Sequence, residues 1–276
     1  MLFRQGGTVG SLEPDLRFNG VALETGVRMH YVERGPAGAE ATVFIHGYAD
    51  SWFSFSRVLS ALSPRHRAVA VDLRGHGDSE KPMGAYSLDA FARDVVSFMD
   101  AVGVERANLA GHSMGSFIAQ RVAMIAPQRV KSLTLISSAP TSKDHPLLLE
   151  LKGAVDRLSD PVDRAFVAEF QATTNPVPAD FMEGIISESL KIPARIWRET
   201  LHTLLLEDHS ARLPEIVVPT LIAWGKQDGF FTREFQDGLR ELIPASNIKT
   251  YAAGHALHWE KPAEFTRDLE AFIAEA

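Results

Sequence analysis

Gly111-His112-Ser113-Met114-Gly115 is a G-x-S-x-G pentapeptide lying between two segments of different periodicity. Before it, residues 107–110 form a short apolar run of the kind that suits a strand buried on both faces; after it, residues 116–126 repeat apolar side chains at helical spacing. A serine on so tight a strand-to-helix turn takes a strained backbone that pushes Oγ out into the cleft, and small residues two positions away on either side let neighbouring chain pass. Gly111 and Gly115 meet that need, so Ser113 is the candidate nucleophile. A G-x-S-x-G inside a Gly-rich loop arises by chance; the strand and helix around this one give it weight.

Working outward, the alternation continues on both sides. Residues 21–23 and 27–34 alternate apolar and polar side chains around Glu24-Thr25-Gly26, which predicts an antiparallel hairpin. Apolar runs recur at 41–46, 68–72 and 132–137, each followed by a loop and a helical pattern. Leu88, Phe91, Val95, Phe98 and Val102 recur at threes and fours, with Ser87 or Asp89 available as N-cap. Strands joined by helices in this way predict an α/β protein with a parallel sheet. Residues 141–212 break the pattern, with helical segments and prolines at 146, 161, 176, 178 and 193 but no convincing strand. They read as an insertion, leaving 1–140 and 213–276 as the core. Alternation resumes with a strand at 220–224, a helix at 232–243, a strand at 248–251 and a last helix opened by Pro262, with Phe265, Leu269 and Phe272 on one face.

A serine hydroxyl is a weak nucleophile near neutral pH and needs a histidine to take its proton and a carboxylate to orient that imidazole. Asp228 in Trp224-Gly225-Lys226-Gln227-Asp228 and His255 in Ala253-Gly254-His255 both follow predicted strands, in the chain order Ser, acid, His. His258 is the rival to His255; Gly254 permits the tight exit from the strand and favours His255, while His258-Trp259 reads as the start of the final helix or as packing against the insertion. His46, His76 and His112 read as structural or pocket residues. Acyl transfer also needs two N–H groups aimed at a developing oxyanion. Met114 supplies one, and Tyr48 in the loop His46-Gly47-Tyr48 supplies the other.

Composition limits the remaining classes. With 28 Lys and Arg against 35 Asp and Glu, the net charge of −7 is spread along the chain and offers no basic footprint for nucleic acid. Cysteine is absent, which removes disulfides, thiolate catalysis and Cys-ligated zinc. No run approaches the eighteen apolar residues of a membrane span, and Met1 to Gly7 lacks the apolar core of a signal peptide, so a cytoplasmic protein with no membrane partner is expected. Residues 1–19 read as a frayed leader or a dimer arm, leaving monomer and homodimer both open.

These motifs together resemble the α/β-hydrolase superfamily, specifically its compact bacterial esterase and lactonase-like members, over nearly the whole chain. Besides 111–115, the resemblance rests on Phe44-Ile45-His46-Gly47, on Asp72-Leu73-Arg74-Gly75-His76-Gly77-Asp78-Ser79, on Trp224-Gly225 through Asp228, and on Gly254-His255 followed by Glu260-Lys261-Pro262. It implies an eight-stranded, mostly parallel sheet flanked by helices, with residues 141–212 as a helical cap, and a structural role for the 72–79 turn. Acyl transfer through Ser113 and His255 needs no metal and no organic cofactor. Haloalkane dehalogenases and epoxide hydrolases resemble the chain but carry aspartate where it has Ser113. Relatives that take their acid from the sixth strand have a carboxylate where this chain has Ser137 and Ser138. The expected activity is hydrolysis of a carboxylic ester or lactone, a small molecule with apolar or aromatic character. Meta-cleavage-product hydrolases, which cut a C–C bond and often carry Asn where this chain has His112, remain an alternative, as does a ligand receptor on the same scaffold. His112, Phe53, Phe166, Phe170, Trp197, Phe230 and His258 are the candidate pocket residues.

Overall fold

The computed structural model describes residues 15–84 and 86–276. The hairpin consists of β1 (Arg17–Ala22) and β2 (Arg28–Arg34), with Gly26 at φ +82° in its turn. Of the expected leader, Arg17 to Asn19 pair with Tyr31 to Glu33, because backbone at a sheet edge is ordered by its ladder; residues 1–14 lie outside those described. The chain then runs through β3 (Ala41–Ile45), α1 (Ser56–Ala61), β4 (Arg67–Val71), α2 (Leu88–Ala101), β5 (Ala107–His112), α3 (Met114–Ile125) and β6 (Val130–Ile136). Helices α4 (Pro146–Val155), α5 (Arg164–Phe170), α6 (Ala179–Ser189) and α7 (Ala194–Leu204) intervene before β7 (Thr220–Gly225), α8 (Arg233–Leu242), β8 (Ser246–Tyr251), α9 (Leu257–Glu260) and α10 (Pro262–Glu275).

The eight strands form one sheet in the order β1-β2-β4-β3-β5-β6-β7-β8, antiparallel at β1, β2 and β4 and parallel from β4 onward. Successive side chains feed two cores. Val43 and Ile45 of β3 and Val69 and Val71 of β4 join the core on the face of α2 and α3, whereas Phe44, Ala68 and Ala70 join the one on the face of α1 and α10. This two-sided burial is why these strands read as continuous apolar runs. Helix α2 starts where Ser87 Oγ accepts the Ala90 N–H at 3.2 Å, and α10 starts at Pro262.

Strand order leaves β5 near the middle, so the C-terminal ends of β3, β5, β7 and β8 open on the same edge of the sheet. The segment holding α4 to α7 leaves and rejoins this edge through a paired stem. His209 N–H donates to Pro140 O (2.9 Å), the Ser142 and Lys143 N–H groups donate to Glu207 O (both 3.0 Å), and Thr141 bridges Asp208. Among the described residues no helix is long and apolar enough to cross a membrane.

Candidate active site

The turn between β5 and α3 has the strain its sequence calls for. Ser113 sits at φ 51°, ψ −116°, outside the regions ordinary L-residues occupy, and its N–H is held by Ile136 O at 2.9 Å. A Cβ on Gly111 would run into the carbonyl of Gly115, and one on Gly115 into the carbonyl of Ile45. The two glycines therefore allow the turn to close on itself and to lie against the end of β3. Ser116 Oγ donates its one hydrogen to Ser113 O at 2.5 Å and lies in hydrogen-bond contact with the Ser138 hydroxyl at 2.7 Å, tying the first turn of α3 to the end of β6.

Asp228 and His255 meet because the chain ends of β7 and β8 approach closely. A Cβ on Gly225 would strike the carbonyl of Gly254, so only glycine lets the two loops touch. Asp228 Oδ2 then accepts from His255 Nδ1 at 3.0 Å, while Oδ1 accepts the N–H groups of Phe230 (2.8 Å) and Phe231 (3.2 Å). Burial pushes this carboxyl up, but the His255 imidazole, its hydrogen bond and the two N–H groups outweigh burial and hold it below the usual aspartate value. With Nδ1–H committed to Asp228, the free His255 Nε2 carries the lone pair. The His255 carbonyl accepts from Ser137 Oγ (2.6 Å) and His112 Nε2 (3.2 Å), fixing the loop that carries the ring.

The candidate oxyanion donors flank Ser113. Neither the Tyr48 nor the Met114 N–H has a hydrogen-bond partner among the described residues. Met114 opens α3, where the helix dipole favours negative charge. Tyr48 follows Gly47, whose missing side chain leaves room for the His112 ring, and the Tyr48 hydroxyl is anchored on Trp197 O at 2.8 Å. Ser113, His255, Tyr48 and Met114 all line one cavity of about 320 Å³ beneath α4, α5 and α7, a volume suited to a small molecule.

Comparison with known proteins places the fold. A family model described as the α/β-hydrolase fold matches residues 41–203, more than half of the chain. The chain belongs to the α/β-hydrolase fold family. It is 40% identical over 267 residues to the dihydrolipoyllysine-residue acetyltransferase component of the acetoin cleaving system of Cupriavidus necator, covering 90% of this chain and 67% of that one. It is 26% identical over 284 residues to lipase 3 of Moraxella sp., covering 94% and 85%. Among solved structures it is similar to an esterase from Exiguobacterium antarcticum, with TM-score 0.84, 21% identity, and coverage of 92% and 98%.

Within this α/β-hydrolase fold the expected pocket residues divide. His112, Phe170 and Phe230 line the cavity. Four others do not, for reasons of packing. Phe53 stacks on Phe181 over a separate surface groove (centroids 5.5 Å apart). Phe166 and Trp197 lie behind the lining, Trp197 fully buried with its ring edge-on to Tyr48. His258 is fully buried in α9, wedged between His112 (4.4 Å) and Phe55 (4.8 Å), with Nε2 at 3.1 Å from Ser54 Oγ. It packs against the core rather than against the helices α4 to α7. Burial, then the neighbouring imidazoles, hold His112 and His258 well below the usual histidine value; burial lowers His46 to about 3 and His76 to about 4. His46 is spent on backbone, with Nδ1 donating to Gly47 O and Nε2 accepting Leu73 N–H.

Other lining residues escaped the sequence reading: Phe117, Leu148, Leu151, Leu204, Asp50 and Gln171. The helical spacing of the leucines announces only an apolar face, and nothing local says that the face meets a cavity. Asp72, by contrast, is saturated by the N–H groups of Trp52 (2.7 Å) and Asp78 (2.9 Å) and by His30 Nδ1 (2.7 Å). His30, Asp72 and Asp78 each bring a potential metal-ligand atom within 4.8 Å of one another, but these contacts and the Lys191 pair on Asp78 already engage those atoms.

Proposed function

We propose that this protein is a serine hydrolase that cleaves a carboxylic ester or lactone through an acyl-enzyme on Ser113, with residues 141–212 as a helical cap over a core of 1–140 and 213–276. One observation carries the reading: a serine on a strained turn opens into the same cavity as an imidazole whose other nitrogen is held by a buried carboxylate. His255 Nε2 takes the Ser113 proton as Oγ attacks the carbonyl carbon, and the Tyr48 and Met114 N–H groups receive the oxyanion. The resulting imidazolium, stabilised by Asp228, gives its proton to the departing alkoxide. Water then repeats the sequence on the acyl-enzyme and releases the acid. Likeness to a protein named as a lipase supports the ester reading.

The test is hydrolysis of p-nitrophenyl esters by wild type, Ser113→Ala and Asp228→Asn, with a fluorophosphonate label located by mass spectrometry. Label on Ser113, no turnover by Ser113→Ala, and a drop of about 10⁴ in kcat for Asp228→Asn are expected. A Ser113→Ala protein of unchanged circular dichroism and full activity would refute the scheme. Single-turnover labelling without release of product would point to a receptor instead.

A further inference from the structure

The cavity has two kinds of wall. One is hydrocarbon: Phe117 packs on Phe231 with ring centroids 6.0 Å apart, Leu148 and Leu151 come from α4, and Leu204 comes from α7, which packs on α4. The other is assembled from the loop after β3, the loop after α5, and α9. Its pieces are joined to one another: Gln171 Nε2 and Ser189 Oγ donate to Ala49 O (3.3 and 2.8 Å), and Asn175 Nδ2 donates to Glu260 (2.5 Å). Glu260 also accepts the Gly254 N–H at 2.9 Å, and Thr174 lies against Gly254.

Three polar groups on this second wall have hydrogen-bonding capacity to spare. Gln171 spends its amide N–H groups on Ala49 O and Ser189 Oγ, which leaves Oε1 as an acceptor without a partner among the described residues. Glu260 Oε1 is buried and likewise unpartnered. Asp50, only 2% exposed, accepts the Ser51 N–H at 3.0 Å and a hydrogen bond from the Ser54 side chain, and the charged groups that act on it are acids rather than cations. Glu188 on α6, itself held by Lys191, and Asp72, held by His30, face it within the protein; Glu169, Glu260 and His255 share the cavity with it. Among the described residues no Lys or Arg lines this space. Burial, reinforced by Glu188 and Asp72 and opposed by the hydrogen bonds from Ser54 and Ser51, pushes the Asp50 carboxyl up to about 7, so near neutral pH about half of the molecules hold a proton there to donate.

We propose that the wall of Asp50, Gln171 and Glu260 binds a hydroxyl group of the substrate while the hydrocarbon wall takes an apolar part, so that the substrate is an amphiphilic hydroxy ester without a carboxylate. The inference rests on the ester-hydrolase reading. A hydroxyl accepts from protonated Asp50 and donates its single hydrogen to Gln171 Oε1, beside the carboxylate of Glu260; a carboxylate would meet acceptors and acids with no cation to pair with. When Asp50 ionises its donor becomes another acceptor, and one hydroxyl hydrogen cannot serve both.

Two pairs of esters test this on wild type, Asp50→Asn and Asp50→Leu: propyl butyrate against glycerol monobutyrate, and methyl butyrate against methyl 3-hydroxybutyrate, with monopropyl succinate as the carboxylate probe. The readout is the ratio of kcat/KM within each pair, because a merely structural loss lowers both members and leaves the ratio alone. In wild type the hydroxylated member is favoured about tenfold in at least one pair, through KM, and the preference falls above about pH 7. Asp50→Leu brings the ratio to about one. Asp50→Asn keeps it and removes its pH dependence, and decides the matter if the Leu variant fails to fold. Ratios near one in both wild-type pairs, a ratio that survives in Asp50→Leu, or monopropyl succinate as the best substrate would overturn the inference while leaving the hydrolase standing. Absence of both turnover and Ser113 labelling would remove both.

Discussion

Replacing Asp50 by Asn exchanges a carboxyl for a group of nearly the same shape that cannot ionise, and the consequence for stability depends on pH in a calculable way. In the unfolded chain Asp50 titrates at its ordinary 3.8; folded, burial raises it to about 7. Between those values the unfolded chain releases its proton while the folded protein keeps it. Stability is therefore lost as pH rises, by about 1.4 kcal/mol per pH unit, reaching about 4 kcal/mol above pH 7. Near pH 5 less than half of that loss is in place, and near pH 8 nearly all of it. Asp50→Asn carries none of it, and its amide oxygen can still accept the Ser51 N–H. Every other titrating group is common to the two proteins, so the difference between them isolates Asp50. Urea unfolding at both pH values, with equal m, should find the advantage of Asp50→Asn over wild type growing by about 2–3 kcal/mol from pH 5 to pH 8. A constant difference would mean that the carboxyl is solvated or paired with a cation, and the reasoning about the polar wall would lose its support.

At φ 51°, ψ −116°, Ser113 is strained in a way that only glycine relieves, a cost of about 1–3 kcal/mol that glycine's larger unfolded-state entropy partly cancels. Ser113→Gly should be more stable than Ser113→Ala by about 1 kcal/mol, both being inactive; equal melting temperatures would refute the strain. His46, His76, His112 and His258 are buried and neutral, with pKa values below the ordinary 6.5. Their contribution is fully present above 6.5 and is lost as pH falls, at about 1.4 kcal/mol per pH unit for each, which outweighs the opposite trend of Asp50. Unfolding free energy should drop steeply between pH 6.5 and 5, and a flat profile there would count against four neutral imidazoles.

Much of the architecture was legible because it is written locally. Strands buried on both faces announce themselves as apolar runs, and Gly111, Gly115 and Gly225 mark points where one backbone grazes another. The cavity lining was not legible in the same way. Phe166 and Phe170 lie four residues apart on one helix, yet only Phe170 reaches the cavity. Trp197, packed against both rings, stays behind it. Aromatic character says that a side chain will be buried, not which side of a wall it will form. Asp50 illustrates the same limit with charge. In sequence it is an acid in a loop, and only the fold reveals that the charged groups acting on it among the described residues are other acids.

The paired stem at residues 140–143 and 205–209 makes the stretch between them a side branch of the fold. Its two ends lie together whatever the branch contains, so lengthening or replacing it costs closure entropy that grows only logarithmically with length. The sheet, the Ser113 turn and the Asp228–His255 pair form on the other side of that stem. Leu148, Leu151, Gln171 and Leu204 travel with the branch, whereas Asp50 and Glu260 belong to the trunk. Exchange of this one contiguous piece between relatives would therefore transplant the whole hydrocarbon face contributed by α4 and α7 in a single step while leaving Asp50 in place, a route by which one chemical engine acquires new molecules to work on.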